Sequence, residues 1–280
     1  MRALAAGFLA AAATSTLFAA PALADDSAPS FNGAYISIFG GYSMPKDGSS
    51  DRLIFDRNND GTFGDTVVNS SNVDAFSPGF CNGSFSTNVP TAGCAKDSSR
   101  TDYGARIGYD SEMGGNFVIG GLIEVNKSEA TESTTGFTST PAAYEITRRL
   151  DYAVSARARL GFKAGSRALI YATGGGSYAK IKHDFRTTNT VNAFTPSRDG
   201  DMVWGWQAGG GVEYLVSDHF SIGAEYLRSR YSDNKYAVAV TAGTAGPTNA
   251  FLLGGGQTNI KSGRNNLTLE SVRVVASYRF

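Results

Sequence analysis

The sequence has little cysteine, little proline and little charge. Only 2 Cys and 8 Pro occur among 280 residues, and charged residues make up 18%, below the ~25% of ordinary soluble domains. Two cysteines exclude both a disulfide-dense small scaffold and a zinc site built from four cysteines. The 25 basic residues equal the 25 acidic ones, which excludes a strongly basic nucleic-acid binder, because no cationic excess is available to neutralise phosphates.

Glycine and aromatic residues are plentiful instead. The chain contains 34 Gly, 13 Tyr and 17 Phe. Because glycine costs about 1 kcal/mol relative to alanine inside a helix, this composition favours closely packed strands. We therefore expect an all-β protein.

The N-terminus has the pattern of an export signal. Met1 and Arg2 precede an Ala-rich apolar run, which ends at the small-residue sequence Ala22-Leu23-Ala24. This pattern predicts a cleaved signal peptide over residues 1–24, followed by a short segment over residues 25–30. The alternative is an uncleaved membrane anchor. No later stretch has the roughly 18 consecutive apolar residues that a spanning helix needs.

Strict alternation of apolar and polar residues marks the rest of the chain. From Leu150 to Phe162 every even position is apolar, and most odd positions are polar or small. This period of two predicts a strand with two different faces. The same pattern recurs at 103–109, 117–125, 204–214, 220–226 and 272–280. The segments 31–42 and 168–181 are less regular but complete a set of eight strands.

The connections between these strands differ in length. Three are short turns, whereas the segments 43–99, 127–149, 182–202 and 232–266 are long and polar. An even strand number, short turns at one end and long loops at the other are typical of transmembrane barrels. The prediction is an eight-stranded antiparallel up-and-down transmembrane β-barrel over residues 31–280, with a long first loop at 43–99.

The polar faces of the strands carry charges of both signs. In a soluble barrel these charges would face water, whereas in a membrane barrel they face the lumen. Aromatic residues near the strand ends favour the membrane barrel. We predict a lumen network of Arg106, Glu124, Arg157, Arg159, Glu213, Glu225 and Arg273. Eight strands enclose a space that side chains just fill, which favours a salt-bridged plug; a narrow gated channel is the alternative.

Several segments together resemble one family. They are Gly33-Ala34-Tyr35, Gly209-Gly210-Gly211, the turn and strand at 217–226, and the C-terminal strand ending in Tyr278-Arg279-Phe280. The chain resembles the eight-stranded outer-membrane β-barrel family of Gram-negative bacteria, with its OmpA-type barrels and porin-like surface antigens. The resemblance implies an outer-membrane location among lipid and lipopolysaccharide. It also implies that the barrel-assembly machinery reads Tyr278 and Phe280.

From the resemblance we expect a structural or surface role with at most limited passage of small solutes. A general or ligand-selective porin is one alternative, and an adhesin or receptor that binds a host or cell-surface ligand through the long loops is another. We expect no enzymatic activity and no nucleic-acid partner.

Two features of the first long loop suggest specific chemistry. Cys81 and Cys94 would form a disulfide in an oxidising compartment, although free thiols are the alternative. Asp56, Asn58 and Asp60, followed by a glycine, match the start of a calcium-binding loop, but the acidic residue expected at its twelfth position is Val67. A polar turn is therefore the favoured interpretation, with calcium binding as the alternative, and we expect no cofactor unless this loop binds calcium.

The sequence His219-Phe220-Ser221 resembles the His-x-Ser of outer-membrane lipid A deacylases. His219 falls in a predicted short turn, and no acidic partner is evident. We therefore expect it to be a turn residue followed by an ordinary strand.

Overall fold

The computed structural model describes residues 29–46, 52–197 and 199–280. The predicted signal peptide lies outside the described residues. Within these ranges no helix is long and apolar enough to cross a membrane. The secondary structure is almost wholly strand. The sixteen strands are β1 Gly33–Pro45, β2 Leu53–Asp56, β3 Gly79–Asn82, β4 Ser84–Phe85, β5 Cys94–Ala95, β6 Arg100–Met113, β7 Phe117–Ser128, β8 Thr131–Thr138, β9 Ala142–Ala164, β10 Ala168–Thr187, β11 Ala193–Pro196, β12 Met202–Leu215, β13 Phe220–Ser232, β14 Val238–Thr241, β15 Thr258–Ser262 and β16 Asn266–Arg279.

Eight of these strands close into an antiparallel barrel. Their order is β1-β6-β7-β9-β10-β12-β13-β16, and β16 pairs with β1 so that Tyr35 lies opposite Arg279. Closure leaves no free sheet edge in the wall. The predicted all-β class and eight-stranded barrel are confirmed.

The apolar face of the barrel points outward. Leu160 is 61% exposed, Ile107 59% and Val274 67%, whereas Arg157 and Arg273 are buried inside. On β9 the exposed apolar side chains run from Tyr152 to Phe162. This distribution is the reverse of that in a soluble barrel and is the one that a lipid environment requires.

One residue at the end of the alternating pattern lies on the unexpected face. Leu150 is only 1% exposed, although the sequence pattern groups it with the outward Tyr152. The pairing between β9 and β10 shifts at this point: Tyr152 lies opposite Lys180, but Leu150 lies opposite Ile181. Asp151 is thus the extra residue of a β-bulge, and a bulge reverses the faces of the strand beyond it. The prediction that Leu150 lies on the same face of the strand as Tyr152 was therefore wrong.

The two ends of the barrel differ. At one end, the turn end, β6–β7, β9–β10 and β12–β13 are joined by connections of a few residues. At the other, the loop end, β9 continues past the wall and carries β8 and β3 on its edge. The expected loop over 127–149 is therefore mostly strand, because β8 and the first part of β9 form a hairpin.

The long loops build a second compact unit, which we call the cap. A four-stranded sheet with the order β11-β14-β15-β2 joins segments from the first, third and fourth long loops. Its buried side chains include Phe55, Phe76, Val240, Phe251 and Ile260, which cluster with Tyr144 and Ile146 from β9. The cap has its own apolar core, although the sequence of the loops is polar on average.

Candidate functional site: the filled lumen and the cap

A cluster of four charged side chains lies in the lumen near the turn end. Arg159 contacts Asp110 at 2.9 Å and is also paired with Glu213. Arg279 contacts the same two carboxylates, at 3.0 and 2.9 Å. Two guanidinium groups thus neutralise two carboxylates, and each carboxylate is shared by both arginines. Such pairing is what buried charges require.

A larger cluster fills the middle of the lumen. It consists of three carboxylates and three guanidinium groups: Asp102, Glu124, Glu225, Arg106, Arg157 and Arg273. Glu225 receives a bidentate contact from Arg106, at 2.9 and 3.2 Å. Glu124 lies 2.5 Å from Arg157 and 2.8 Å from Arg273. Every side chain in this cluster is almost wholly buried, and the charges balance.

Aromatic rings lie against these guanidinium groups. Arg159 lies 3.9 Å from the ring centroid of Tyr171, and Arg273 lies 4.5 Å from that of Phe39. The rings occupy space left by glycines on the neighbouring strand: a Cβ at Gly104 would come within 2.6 Å of Phe39. The inward aromatics therefore add cation–π contacts to the ion pairs and fill the remaining volume.

Apolar side chains lie beyond the charged clusters at both ends. Phe31, Val118, Leu169 and Leu215 pack together with Tyr171 at the turn end. Toward the loop end, a second set packs across the lumen: Ala130, Leu150, Ala153, Ala179, Ile181, Tyr231, Leu267 and Leu269. The lumen is thus layered, with balanced ion pairs between two apolar layers.

All seven residues of the predicted lumen network lie in these two clusters. Three further charged residues, Asp102, Asp110 and Arg279, belong to these clusters but were not among the predicted ones. Asp102 and Asp110 lie on the same face of β6 as Arg106, one residue beyond each end of the predicted strand. Extending the alternation by one residue in each direction would have found them. Arg279 lies on the polar face of the predicted C-terminal strand.

A third charged cluster lies where the barrel meets the cap. Arg148 contacts Glu132 at 2.7 Å and Asp233 at 3.1 Å. The imidazole of His183 lies between two carboxylates, 3.0 Å from Asp199 and 3.0 Å from Asp233. This cluster connects β8, β9 and β10 with the segment that follows β13.

The family model for the outer membrane protein beta-barrel domain matches residues 10–280. The chain belongs to this family. It lies in the outer membrane, and the long-loop end of such barrels faces the outside of the cell. The turn end is accordingly periplasmic.

Two curated relatives are named as outer-membrane immunogenic proteins. The 31 kDa outer-membrane immunogenic proteins of Brucella melitensis and Brucella suis are each 29% identical over 124 residues, which is 44% of this chain and 51% of theirs. This chain therefore matches about half the length of those relatives. Among solved structures, OprG of Pseudomonas aeruginosa is 11% identical with a TM-score of 0.49, the similarity covering 89% of this chain and 97% of that one. Neisserial surface protein A has a TM-score of 0.37 at 10% identity, covering 89% and 98%.

The two cysteines form a disulfide within the cap. Cys81 on β3 and Cys94 on β5 have Cα atoms 6.2 Å apart. Both lie beside a small apolar cluster of Phe85, Phe137 and Ala143. The bridge joins β5 of the β4–β5 hairpin to β3, which pairs with β8, and so fixes this part of the first loop against β8.

The three predicted calcium ligands lie at the end of β2. The carboxylate of Asp56 accepts hydrogen bonds from the backbone N–H groups of Asp60 and Gly61, at 3.0 and 3.1 Å. The side chain of Asn58 donates to Asp60 at 2.8 Å. The backbone N–H of Thr62 holds the pKa of Asp60 below its usual value. The described residues contain no group of three or more His, Cys, Asp or Glu placed to hold a metal. Calcium binding by this loop stays a prediction.

The His-x-Ser sequence does not form a catalytic pair. The Nδ1 atom of His219 lies 3.1 Å from the backbone carbonyl oxygen of Arg279. The hydroxyl of Ser221 donates instead to Glu213 at 2.7 Å and is fully buried in the lumen. Ser221 thus completes the ion-pair cluster at the periplasmic end.

The predicted assembly signal lies on the outer surface of the barrel. Tyr278 is 46% exposed and Phe280 is 70% exposed, and their rings meet edge to face with centroids 5.3 Å apart. Both are placed where another protein can contact them. Recognition by the assembly machinery stays a prediction.

Proposed function

We propose that this protein is a closed outer-membrane barrel with a structural and surface role, passing small solutes at most to a limited extent. The layered lumen supports this proposal. Charged side chains that are paired in equal numbers carry no net charge to attract an ion, and displacing them would leave buried charges unpaired. The apolar layers at both ends add a barrier to water.

The direct test is conductance across a planar lipid bilayer. The refolded mature protein should give no stable single-channel steps. A double variant, Arg157→Ser with Glu225→Ser, removes two facing side chains from the middle cluster and should raise the frequency of steps. The matched control is Arg149→Ser with Asp151→Ser, which changes residues of both signs on β9 outside that cluster. Stable steps from the unmodified protein, lost on Arg157→Ala, would instead support the porin alternative.

The cap favours a second candidate role, that of a surface receptor or adhesin. A loop region with its own apolar core and a disulfide can hold a binding surface rigidly outside the cell. Deletion of the segment between β14 and β15 should abolish binding to host cells while the barrel still folds. Equal binding by the deleted and intact proteins would count against this role.

Contacts with lipopolysaccharide form part of the same proposal. Lys127, Arg149 and Arg230 are exposed near the loop ends of their strands. Beside them on the outer face lie aromatic residues such as Tyr103, Tyr152 and Trp206. Cations at this level would meet the phosphates of the outer leaflet, and the aromatic rings would lie at the membrane interface.

A further inference from the structure

A half-open cavity lies in the cap where all four long loops meet. Its volume is about 470 Å³, within the ~300–1,000 Å³ range of small-molecule sites. Each loop contributes at least one asparagine or threonine to its lining, among them Asn69, Thr138, Asn189 and Asn249. The site therefore exists only when the four loops are assembled.

The lining of this cavity is polar but uncharged. Among its seventeen residues, eight carry a hydroxyl group and three carry a carboxamide, and none is acidic, basic or histidine. Hydroxyl and carboxamide groups both donate and accept hydrogen bonds. A charged ligand would lose its hydration without finding a counter-charge in the lining, whereas the hydroxyl groups of an uncharged ligand are of the same hydrogen-bonding type as the lining.

Several of the polar side chains are held in place before any ligand arrives. Asn189 donates to the hydroxyl of Tyr144 at 2.8 Å and to Asn192 at 2.9 Å. Asn192 also exchanges hydrogen bonds with Asn249, at 3.1 and 3.3 Å. Two loops are thereby joined behind the cavity, so a ligand would meet polar groups whose orientation is already fixed.

The wall behind these groups is apolar. Tyr144 and Phe251 line the cavity, and their ring centroids lie 5.5 Å apart in an edge-on arrangement. Both belong to the apolar core of the cap. The cavity thus combines an apolar wall with a rim of hydroxyl and carboxamide groups, a combination that suits a sugar ring with apolar C–H groups and polar hydroxyls.

We propose that this cavity binds a neutral oligosaccharide at the cell surface, holding one or two of its sugar units. The proposal goes beyond the structural role above and shares with it only the placement of the cap outside the cell. The rim is open to solvent at Ser139, Thr140 and Thr190, so a longer glycan can continue away from the protein.

Binding is measured with the full chain folded in detergent, on an array of neutral oligosaccharides and their sulfated or sialylated counterparts. At least one neutral glycan should be retained, with weaker retention of its charged counterpart. Thr190→Trp places a large ring at the rim and should reduce affinity at least tenfold. Ser139→Trp, from a different loop, should act in the same direction.

Thr195→Trp is the matched control, because Thr195 is exposed on the cap but does not line the cavity. It should retain the affinity of the unmodified protein. Absence of neutral-glycan binding, preference for charged glycans, or equal binding by all three tryptophan variants would overturn the proposal. Because the measurement does not involve ion flow, this proposal and that of a closed lumen can fail independently.

Discussion

The charged middle of the lumen and the core of the cap are both protein interiors, yet they are built from opposite residues. The largest wholly buried side chains of the lumen are the arginines Arg273 and Arg279. The buried side chains of the cap are mainly aromatic and aliphatic, with Phe76 and Val240 among them. Within its 280 residues the chain therefore buries paired charged side chains in one region and apolar side chains in the other.

The surroundings of each region explain the difference. The barrel wall faces hydrocarbon, so moving an apolar side chain from the outside to the lumen removes no contact with water and brings no hydrophobic gain. Polar side chains can therefore occupy the middle of the lumen, provided that they pair there. Water surrounds the cap, so burial of its apolar side chains removes them from water and drives folding. The barrel should consequently depend on charge pairing and the cap on apolar packing.

Removal of one lumen arginine gives the largest expected effect. Arg273 contacts Asp102 at 2.5 Å, Glu124 at 2.8 Å and Glu225 at 3.6 Å. Arg273→Ala leaves an excess of buried negative charge, which should cost about 3–5 kcal/mol in the free energy of unfolding. Urea unfolding of the detergent-folded barrel, followed by heat-modifiable gel migration, measures this loss.

The matched control for that variant is Arg149→Ala, since Arg149 is exposed on the outside of β9. It should change the unfolding free energy by no more than about 0.5 kcal/mol. Equal unfolding curves for the two variants would show that the ion pairs do not stabilise the barrel, and the contrast between lumen and cap would fail.

Truncation of one aromatic residue should affect the cap alone. The ring of Phe76 lies 4.4 Å from that of Phe55 and 5.5 Å from that of Tyr144, measured between centroids. Phe76→Ala should cost about 3–5 kcal/mol of local stability, because it opens a cavity in the apolar core. Limited proteolysis should cut the loops faster while heat-modifiable migration stays unchanged.

Val73→Ala serves as the control, because Val73 belongs to the same loop but is 54% exposed. It should leave the proteolysis rate as it was. If Phe76→Ala instead unfolds barrel and cap together, the two regions form one cooperative unit. Their stabilities would then not depend on separate kinds of interaction.

The sequence predicted the barrel better than the cap, for a physical reason. Each membrane strand carries its own period-two signal, so Arg157 and Arg159 could be assigned to the inner face without knowing which strands are neighbours. The strands of the four-stranded cap sheet are only four or five residues long, and their partners come from distant loops: Phe55 pairs with Ile260. Because strand stability depends on cross-strand partners, such short segments carry no decisive signal alone.

The bulge at Asp151 was unpredictable for a related reason. The alternation continues through Leu150 in the sequence, and only the pairing of β9 with β10 shows that the register shifts. The cavity in the cap could not be predicted either, because its lining is contributed by four separate loops. Single-strand patterns thus predict the faces of the wall, whereas contacts between loops determine the cap.

Acid should weaken the junction between barrel and cap, with the smallest expected effect. Burial raises the pKa of Asp233, but the hydrogen bond from His183 and the charge of Arg148 outweigh it and hold that pKa below its usual value. The other charged groups around this junction include Glu132, Asp199, Lys261 and Arg264. A carboxylate with a lowered pKa in the folded state stabilises it fully above its ordinary pKa, and this contribution is lost as the pH falls through the lowered value.

Proteolysis of the cap by an acid-active protease should therefore accelerate below about pH 4, the ordinary range for aspartate. Asp233→Asn removes this titration and should flatten the dependence on pH in that window, at the cost of lower stability at neutral pH. Asp218→Asn is the control, because Asp218 lies exposed in a turn at the periplasmic end. If Asp233→Asn and the unmodified protein show the same dependence on pH, apolar packing alone holds the cap to the barrel. Charge pairing would then stabilise the lumen but not its junction with the cap.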